Sequence, residues 1–379
     1  MRRLRIIACV RRRYSYRNAV ILLGGESALS GLLDKVSAIA LLGTGSFDLL
    51  DARMEASKLA DSFIRNLRDR VKGLARYDRT DRLIAAHGVV VVTSYFEALG
   101  DLNLRVARSL DERDRERLVD RDPVGHWGGQ LIAAELPVPS PQNPHETLLD
   151  KIGQLYRRFS ADLLALVSGL ELWSRWNATE RGRVRHELGE TLPIAALRRY
   201  EEHFRRLVAD FPEVECWVNL SEHEATRRTV RQLQESLSGL QDRLVRITSG
   251  RTPSDRLGAL IRESRAALSR KIISADEVPE GLAIPMLGQA YVNPGFKLLP
   301  SGSGDRRPAD ESVWEDVARR DDLNDFLSGY LTLPQATQAP LLILGQPGAG
   351  KSVLTKMLAA RLPPGDFLPL RVELRTVPA

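Results

Sequence analysis

The sequence predicts a mainly α-helical protein: an N-terminal all-α helical bundle followed by the incomplete start of an α/β unit. Three observations predict it. Apolar residues recur at three- and four-residue spacing from about Glu26 to Arg270, with period-two alternation nearly absent. A stretch dense in proline and glycine, Ala275 to Ala309, then interrupts the pattern. Beyond it, a short apolar run leads into a glycine-rich loop and one more amphipathic helix.

Residues 1–25 read as a basic N-terminal extension. Arg2, Arg3, Arg5, Arg11, Arg12, Arg13 and Arg17 occur with no acidic residue before Glu26. The apolar piece Ile6 to Val10 is shorter than the roughly 7–15 residues of a signal-peptide core. A disordered extension or an upstream start codon is the expectation, with an organelle transit peptide as the alternative.

Residues 26–272 form the expected helical domain. Ser46 to Tyr77 and Asp81 to Val106 carry helical stripes. From His145 to Trp176, Leu148, Ile152, Leu155, Phe159, Leu163, Leu166, Leu170 and Trp173 mark one face of a long helix. Pro137, Pro139, Pro141 and Pro144 make the preceding stretch a loop. Val230, Leu233, Leu237, Leu240, Leu244 and Ile247 alternate spacings of 3 and 4. That seam is short for a coiled coil and is read as an intramolecular contact. No strand is expected before about Leu341.

Composition narrows the function classes. Hydrophobic residues make up 43% and charged residues 27%, ordinary for a folded protein with a core. No uninterrupted apolar stretch approaches the roughly 18 residues of a membrane span, so no membrane partner is expected. Two cysteines, Cys9 and Cys216, exclude a disulfide scaffold and point to a reducing, cytoplasmic setting. The net charge of +6 is spread over alternating Arg and acid, as in Asp111 to Asp122. Without aromatic–basic interleaving, nucleic-acid binding is unsupported.

Residues 273–310 read as a Pro/Gly-rich linker, in which Gln289 to Phe296 carries aromatics that look buried. The glycine pairs Gly24-Gly25, Gly43 with Gly45, and Gly302 with Gly304 follow no apolar strand and read as caps or linker. Residues 311–379 open the last unit. Glu311 to Leu331 is expected to be one helix, with Trp314, Val317, Phe326 and Leu327 on its apolar face. Leu341-Leu342-Ile343-Leu344 then reads as a buried parallel strand.

The chemistry follows directly. Gly345-Gln346-Pro347-Gly348-Ala349-Gly350-Lys351-Ser352 matches G-x-x-x-x-G-K-[ST] at every fixed position. Glycines let the backbone curl so that its N–H groups converge on a phosphate. Lys351 would reach the β- and γ-phosphates, and Ser352 would offer its hydroxyl to Mg²⁺. The helix from Gly350 to Leu362 adds the positive end of its dipole. Its face Val353, Leu354, Met357, Leu358 and Leu362 suits packing on a sheet. ATP, or GTP, with Mg²⁺ is therefore the expected ligand. Leu368 to Leu374 reads as a second strand. No apolar run ending in Asp follows Lys351, and Asp366 lies in a Pro/Gly turn. The second Mg²⁺ ligand and the water-positioning group of a hydrolase are therefore missing. Leu342, Leu344, Leu354 and Leu358 are expected to stay partly uncovered.

The block from Tyr291 through Leu374 resembles the entry to a NACHT domain, of the STAND class of signal-transducing P-loop NTPases. Tyr291-Val292-Asn293-Pro294, Asp322-Leu323-Asn324-Asp325-Phe326-Leu327, the loop itself and Leu370-Arg371-Val372-Glu373-Leu374-Arg375 carry the likeness. Upstream, Leu22-Leu23-Gly24-Gly25, Phe47-Asp48, Arg82 to His87 and Tyr95 to Leu99 resemble the helical domain that precedes NACHT modules in actinobacteria. The resemblance implies an intracellular nucleotide switch that self-associates through its NTPase domain and is linked to defence against phage. It also implies a chain cut off after the Walker A region, before the Walker B acids, winged-helix region and sensor repeats. The alternative reading is a helical interaction or scaffold module with a vestigial P-loop.

Overall fold

A computed structural model describes residues 4–8, 14–23, 67, 71, 74, 76–102, 123–141, 145–218, 238–247, 255–272, 284–300, 310–333, 335–338 and 340–372. Most of Ser46 to Tyr77, Asp111 to Asp122, Val230 to Leu237, the glycine pairs at 24–25, 43–45 and 302–304, Cys9 and the segment 373–375 lie outside them. The described chain is mainly helical, as expected.

The first core is an all-helical bundle built around Arg76–Asp101. Its middle, Leu83 to Val92, is apolar and buried nearly all round by Leu192–Asp210 and Tyr16–Leu22. By length and composition this helix does reach what a bilayer span needs, contrary to the expectation from uninterrupted runs. Most of its apolar length is buried inside the fold, so here it serves as a core helix. The long stripe from His145 becomes the helix His145–Ser168 with Leu148, Ile152, Leu155, Phe159 and Leu163 inward. The helix stops at Gly169, and Glu171–Arg175 is a separate short turn.

Helical backbone then runs continuously from Ala178 to Asp210. Asn177 caps its start, accepting from the Glu180 amide at 2.8 Å while the Glu180 carboxylate accepts from the Asn177 amide at 3.0 Å. A five-residue π turn, Glu187–Thr191, sits in its middle. Pro193 explains it. A proline there cannot donate to the carbonyl four residues back and its ring crowds that carbonyl, so the helix widens by one residue instead of breaking.

A second core holds the two ends of the chain together. Leu4–Ala8 is a strand, β1, not a free extension. It pairs in parallel with β2, Phe296–Pro300, and antiparallel with β4, Leu342–Leu344. Arg319–Arg320 (β3) completes the order β3-β2-β1-β4. This overturns the expectation of no strand before Leu341. It also places a strand inside the stretch read as linker, and makes Leu341–Leu344 an antiparallel edge rather than a buried parallel strand. The reason is visible in β1. Leu4 and Ile6 alternate inward and are fully buried against Phe296 and Leu298.

Leu240, Leu244 and Ile247, the described end of the predicted seam, are buried in this second core, an intramolecular contact as expected. The expected single helix 311–331 is broken. A 3₁₀ turn covers Glu311–Trp314, β3 follows, and only Leu323–Thr332 is α-helical. Arg320 forces the break. Its guanidinium bonds both Asp322 carboxylate oxygens at 2.9 and 2.6 Å and the Pro141 carbonyl at 2.8 Å, and lies over Phe296 and Phe326. The second strand expected at Leu368 to Leu374 does not form over its described part. Leu368, Leu370 and Val372 are 56%, 66% and 66% exposed.

Candidate functional site

The segment Gly345–Ser352 joins β4 to the helix Lys351–Arg361. Gly348 and Gly350 take φ of 74° and 88°, the left-handed region where a side chain is penalised. The Ala349 amide donates to the Gln346 carbonyl at 3.1 Å, closing a turn inside the loop. The Leu354 amide donates to the Gly350 carbonyl at 2.8 Å, which starts the helix directly from the loop. The Lys351 ammonium reaches back across the mouth, donating to the Gly345 carbonyl at 2.5 Å and the Gln346 carbonyl at 3.1 Å. An ammonium has three donors, so one is left for an anion in the loop. Gln346, Pro347, Gly348 and Ser352 are exposed, while Ala349 is buried and anchors the loop from beneath.

The helix beneath the loop packs on other helices, not on a sheet as expected. Leu354 and Met357 are fully buried, in one cluster with Leu244, Phe326 and Leu327. Arg265 donates to the Ala360 carbonyl and Arg361 to Gln241, so Asp255–Ala266 and Ser238–Arg246 hold its far end. Of the four residues expected to stay uncovered, Leu342 is 49% exposed and Leu344 and Leu358 are half-buried, but Leu354 is not uncovered at all.

An open cleft of about 880 Å³ runs from the loop down the outer face of this helix, beneath Pro369 to Val372. Lys351, Ser352, Thr355, Lys356 and Arg371 line it together with the apolar Leu358, Leu362 and Leu370. The motif contains Lys351 and Ser352 alone of these. Thr355 and Lys356 were legible as their i+4 neighbours on the same helical face; Arg371 was not, because its place depends on the chain's return over the helix. Asp366 does not line the cleft.

The cleft tests the fit of Mg²⁺. Ser352 supplies one exposed hydroxyl, and among the described residues no carboxylate lines the cleft. Among the described residues no group of three His, Cys, Asp or Glu is placed to hold a metal. The side chains therefore fit a Mg²⁺ that arrives with phosphate oxygens and keeps water, the ion's usual habit, and not a cage built by the protein.

The loop's support reaches into the first core. Helix Leu323–Thr332 buries Leu323, Phe326, Leu327 and Tyr330 in the second core, while its end touches Pro212–Val218. The first core, which apart from Leu333 runs from Tyr14 to Trp217, is also the part of the chain that comparison recognises. The family model described as NACHT N-terminal Helical domain 7 matches residues 11–222. The chain belongs to this NACHT N-terminal helical domain family. No curated protein and no solved structure matches it. The NACHT helical domain thus ends close to Trp217, the last residue of the first core before Leu333, and takes in residues 14–23, which lie within the expected extension. Tyr14 and Ser15 are tied to it by the Leu136 amide, which donates to the Tyr14 carbonyl at 2.7 Å, and by a bridge to Glu135.

Proposed function

We propose that the chain is the nucleotide-holding N-terminal portion of a NACHT/STAND signal-transduction NTPase, with Gly345–Ser352 as its P-loop. One observation carries the reading. Lys351 spans the loop mouth to the Gly345 and Gln346 carbonyls while Gly348 and Gly350 hold left-handed conformations. That arrangement brings a cation and a helix N-terminus together at one glycine loop, the combination that suits a phosphate. The ligand is ATP, with GTP as the second candidate, and Ser352 takes Mg²⁺ carried in by the phosphates.

Holding is separated from turnover. Among the described residues no acidic side chain lines the cleft to act as second Mg²⁺ ligand or to position water, so hydrolysis by these residues is negligible. The family's behaviour supports the wider role: a cytoplasmic switch of the kind resembled in actinobacteria, self-associating through its NTPase domain, in defence against phage. Neither a membrane nor nucleic acid is part of this reading.

The exposed, strandless Leu368 to Val372 favours a second reading, a helical interaction or scaffold module with a vestigial loop. Titration with Mg·ATP and Mg·GTP beside a phosphate-release assay separates the two. Weak binding lost in Lys351→Ala, without turnover, is expected. It is weak because among the described residues β4 has one strand neighbour, so the competent loop is only partly populated. Absence of any binding favours the scaffold. Turnover at roughly 1 s⁻¹ or faster, in the usual enzyme range and lost in Lys351→Ala, refutes the separation of holding from turnover.

A further inference from the structure

We infer that the N-terminal strand β1 positions the phosphate loop, so that nucleotide binding and the docking of residues 4–8 are linked. The inference rests on the nucleotide-holding reading above and names the distant segment that keeps its loop in shape.

A phosphate loop must be fixed at both ends, because its backbone donors converge only while the strand before it and the helix after it keep their places. Burial fixes the helix end: Leu354 and Met357 are fully buried in the second core. The strand end is buried far less. β4 is three residues long, with Leu342 exposed and Ile343 and Leu344 half-buried.

Pairing holds that end instead. All three residues of β4 pair with β1, in the register Arg5 to Leu344, Ile6 to Ile343 and Ile7 to Leu342. Arg5 is thus paired with the residue just before Gly345, whose carbonyl accepts from the Lys351 ammonium at 2.5 Å. On its other edge β1 is fixed along five residues of β2, from Leu4 at Phe296 to Ala8 at Pro300. Leu4 and Ile6 are fully buried in the same cluster as Leu354 and Met357. Both flanks of the loop are therefore tied to one cluster, the helix directly and the strand through β1.

The tie is non-local. Residues 4–8 precede the matched family segment 11–222, and the helix that follows them, Tyr16–Leu22, packs on Arg76–Asp101 of the helical bundle. When β1 leaves, β4 loses the pairing of all three residues while the helix end stays buried. The fraction of chains with a competent loop then falls, and apparent affinity falls with it. Linkage is reciprocal: whatever factor β1 docking adds to nucleotide affinity, bound nucleotide must add to β1 docking.

The test measures Mg·ATP affinity on the full chain for the natural sequence, Ile6→Ala, Ile6→Val, Leu240→Ala and Lys351→Ala, at a temperature where melting curves show each to be folded. Leu240 is the matched control, fully buried in the same cluster but on the helix Ser238–Arg246. Ile6→Ala is expected to bind on the order of tenfold more weakly, with Ile6→Val in between and Leu240→Ala within about threefold of the natural chain. Hydrogen exchange of the natural chain needs no variant to fold. Mg·ATP should slow exchange in β1 and β4 at least about threefold more than in Leu323–Thr332 of the same core. Equal weakening in Ile6→Ala and Leu240→Ala, unchanged binding in Ile6→Ala, or equal slowing across the core overturns this inference and leaves the nucleotide reading standing. No binding by the natural chain, or binding indifferent to Lys351→Ala, overturns both.

Discussion

The Trp217 indole N–H donates to the Thr332 hydroxyl at 2.9 Å, joining the last helix of the first core to the helix that supports the loop. Both groups are buried, and the hydroxyl in turn donates a hydrogen bond to the Ser328 carbonyl at 2.7 Å. Thr332→Val keeps the shape but leaves the indole N–H without an acceptor. It should cost about 1–3 kcal/mol, the usual penalty for an orphaned buried donor. Chemical denaturation measures it, and a loss under a few tenths would show that the contact is incidental.

Gly329 is the tightest point of the same junction. A Cβ built there lies 2.4 Å from the Cys216 carbonyl oxygen and 2.7 Å from Pro141. Because the nearest obstacle is backbone, Gly329→Ala must push the helices apart and should destabilise by about 1–3 kcal/mol, as overpacking does. Gly182, a helical glycine with open space around its Cβ, is the control. Its alanine variant should gain about 0.5–1 kcal/mol. The two melting temperatures should move in opposite directions.

Acid should loosen the first core through His87. Burial pushes its pKa from 6.5 to about 3, and its Nε2 lies 2.9 Å from the Tyr200 hydroxyl. The unfolded chain then binds a proton that the folded chain refuses, so stability is full above 6.5 and falls as pH drops from there toward 3. His87→Gln removes the titrating group and should flatten that part of the profile. An unchanged slope between pH 6.5 and 4 would assign the acid sensitivity to other groups.

Gly350 separates backbone strain from side-chain contact in the loop. Its φ is 88°, and nothing lies within 4 Å of a Cβ placed on it. Gly350→Ala should therefore cost about 1–2 kcal/mol in backbone conformation alone. The deficit should appear as weaker nucleotide binding, with the helical core's melting unaffected. Binding equal to that of the natural chain would mean the left-handed turn is not needed.

Ile6 tests whether the N-terminal strand belongs to the second core. The residue is fully buried there. Ile6→Ala should cost about 2–5 kcal/mol, typical of a large-to-small core change. Hydrogen exchange should accelerate in β2 and β4 and stay slow in Arg76–Asp101. Uniform acceleration would argue for one cooperative unit instead.

Much of this protein was legible because helical patterning is local. The stripe from Leu148 to Leu163 and the buried run Leu83 to Val92 specify inward faces by spacing alone, whatever they pack against. The loop was legible for a similar reason: glycines at 345 and 350 followed by Lys351 and Ser352 encode their geometry within eight residues. Tertiary structure alone decided the rest. Leu4 finds its partner at Phe296, and no short window of sequence contains both. An arginine-rich segment therefore reads as an extension in sequence, while the pairing turns its Leu4 and Ile6 inward. Arg320 broke a predicted helix through contacts with Pro141 and Phe296, both remote in sequence. Arg371 joined the cleft only because the chain returns over the helix. Spacing fixes which face of an element is apolar, but which surface that face meets depends on contacts between distant segments, which only the folded chain brings together.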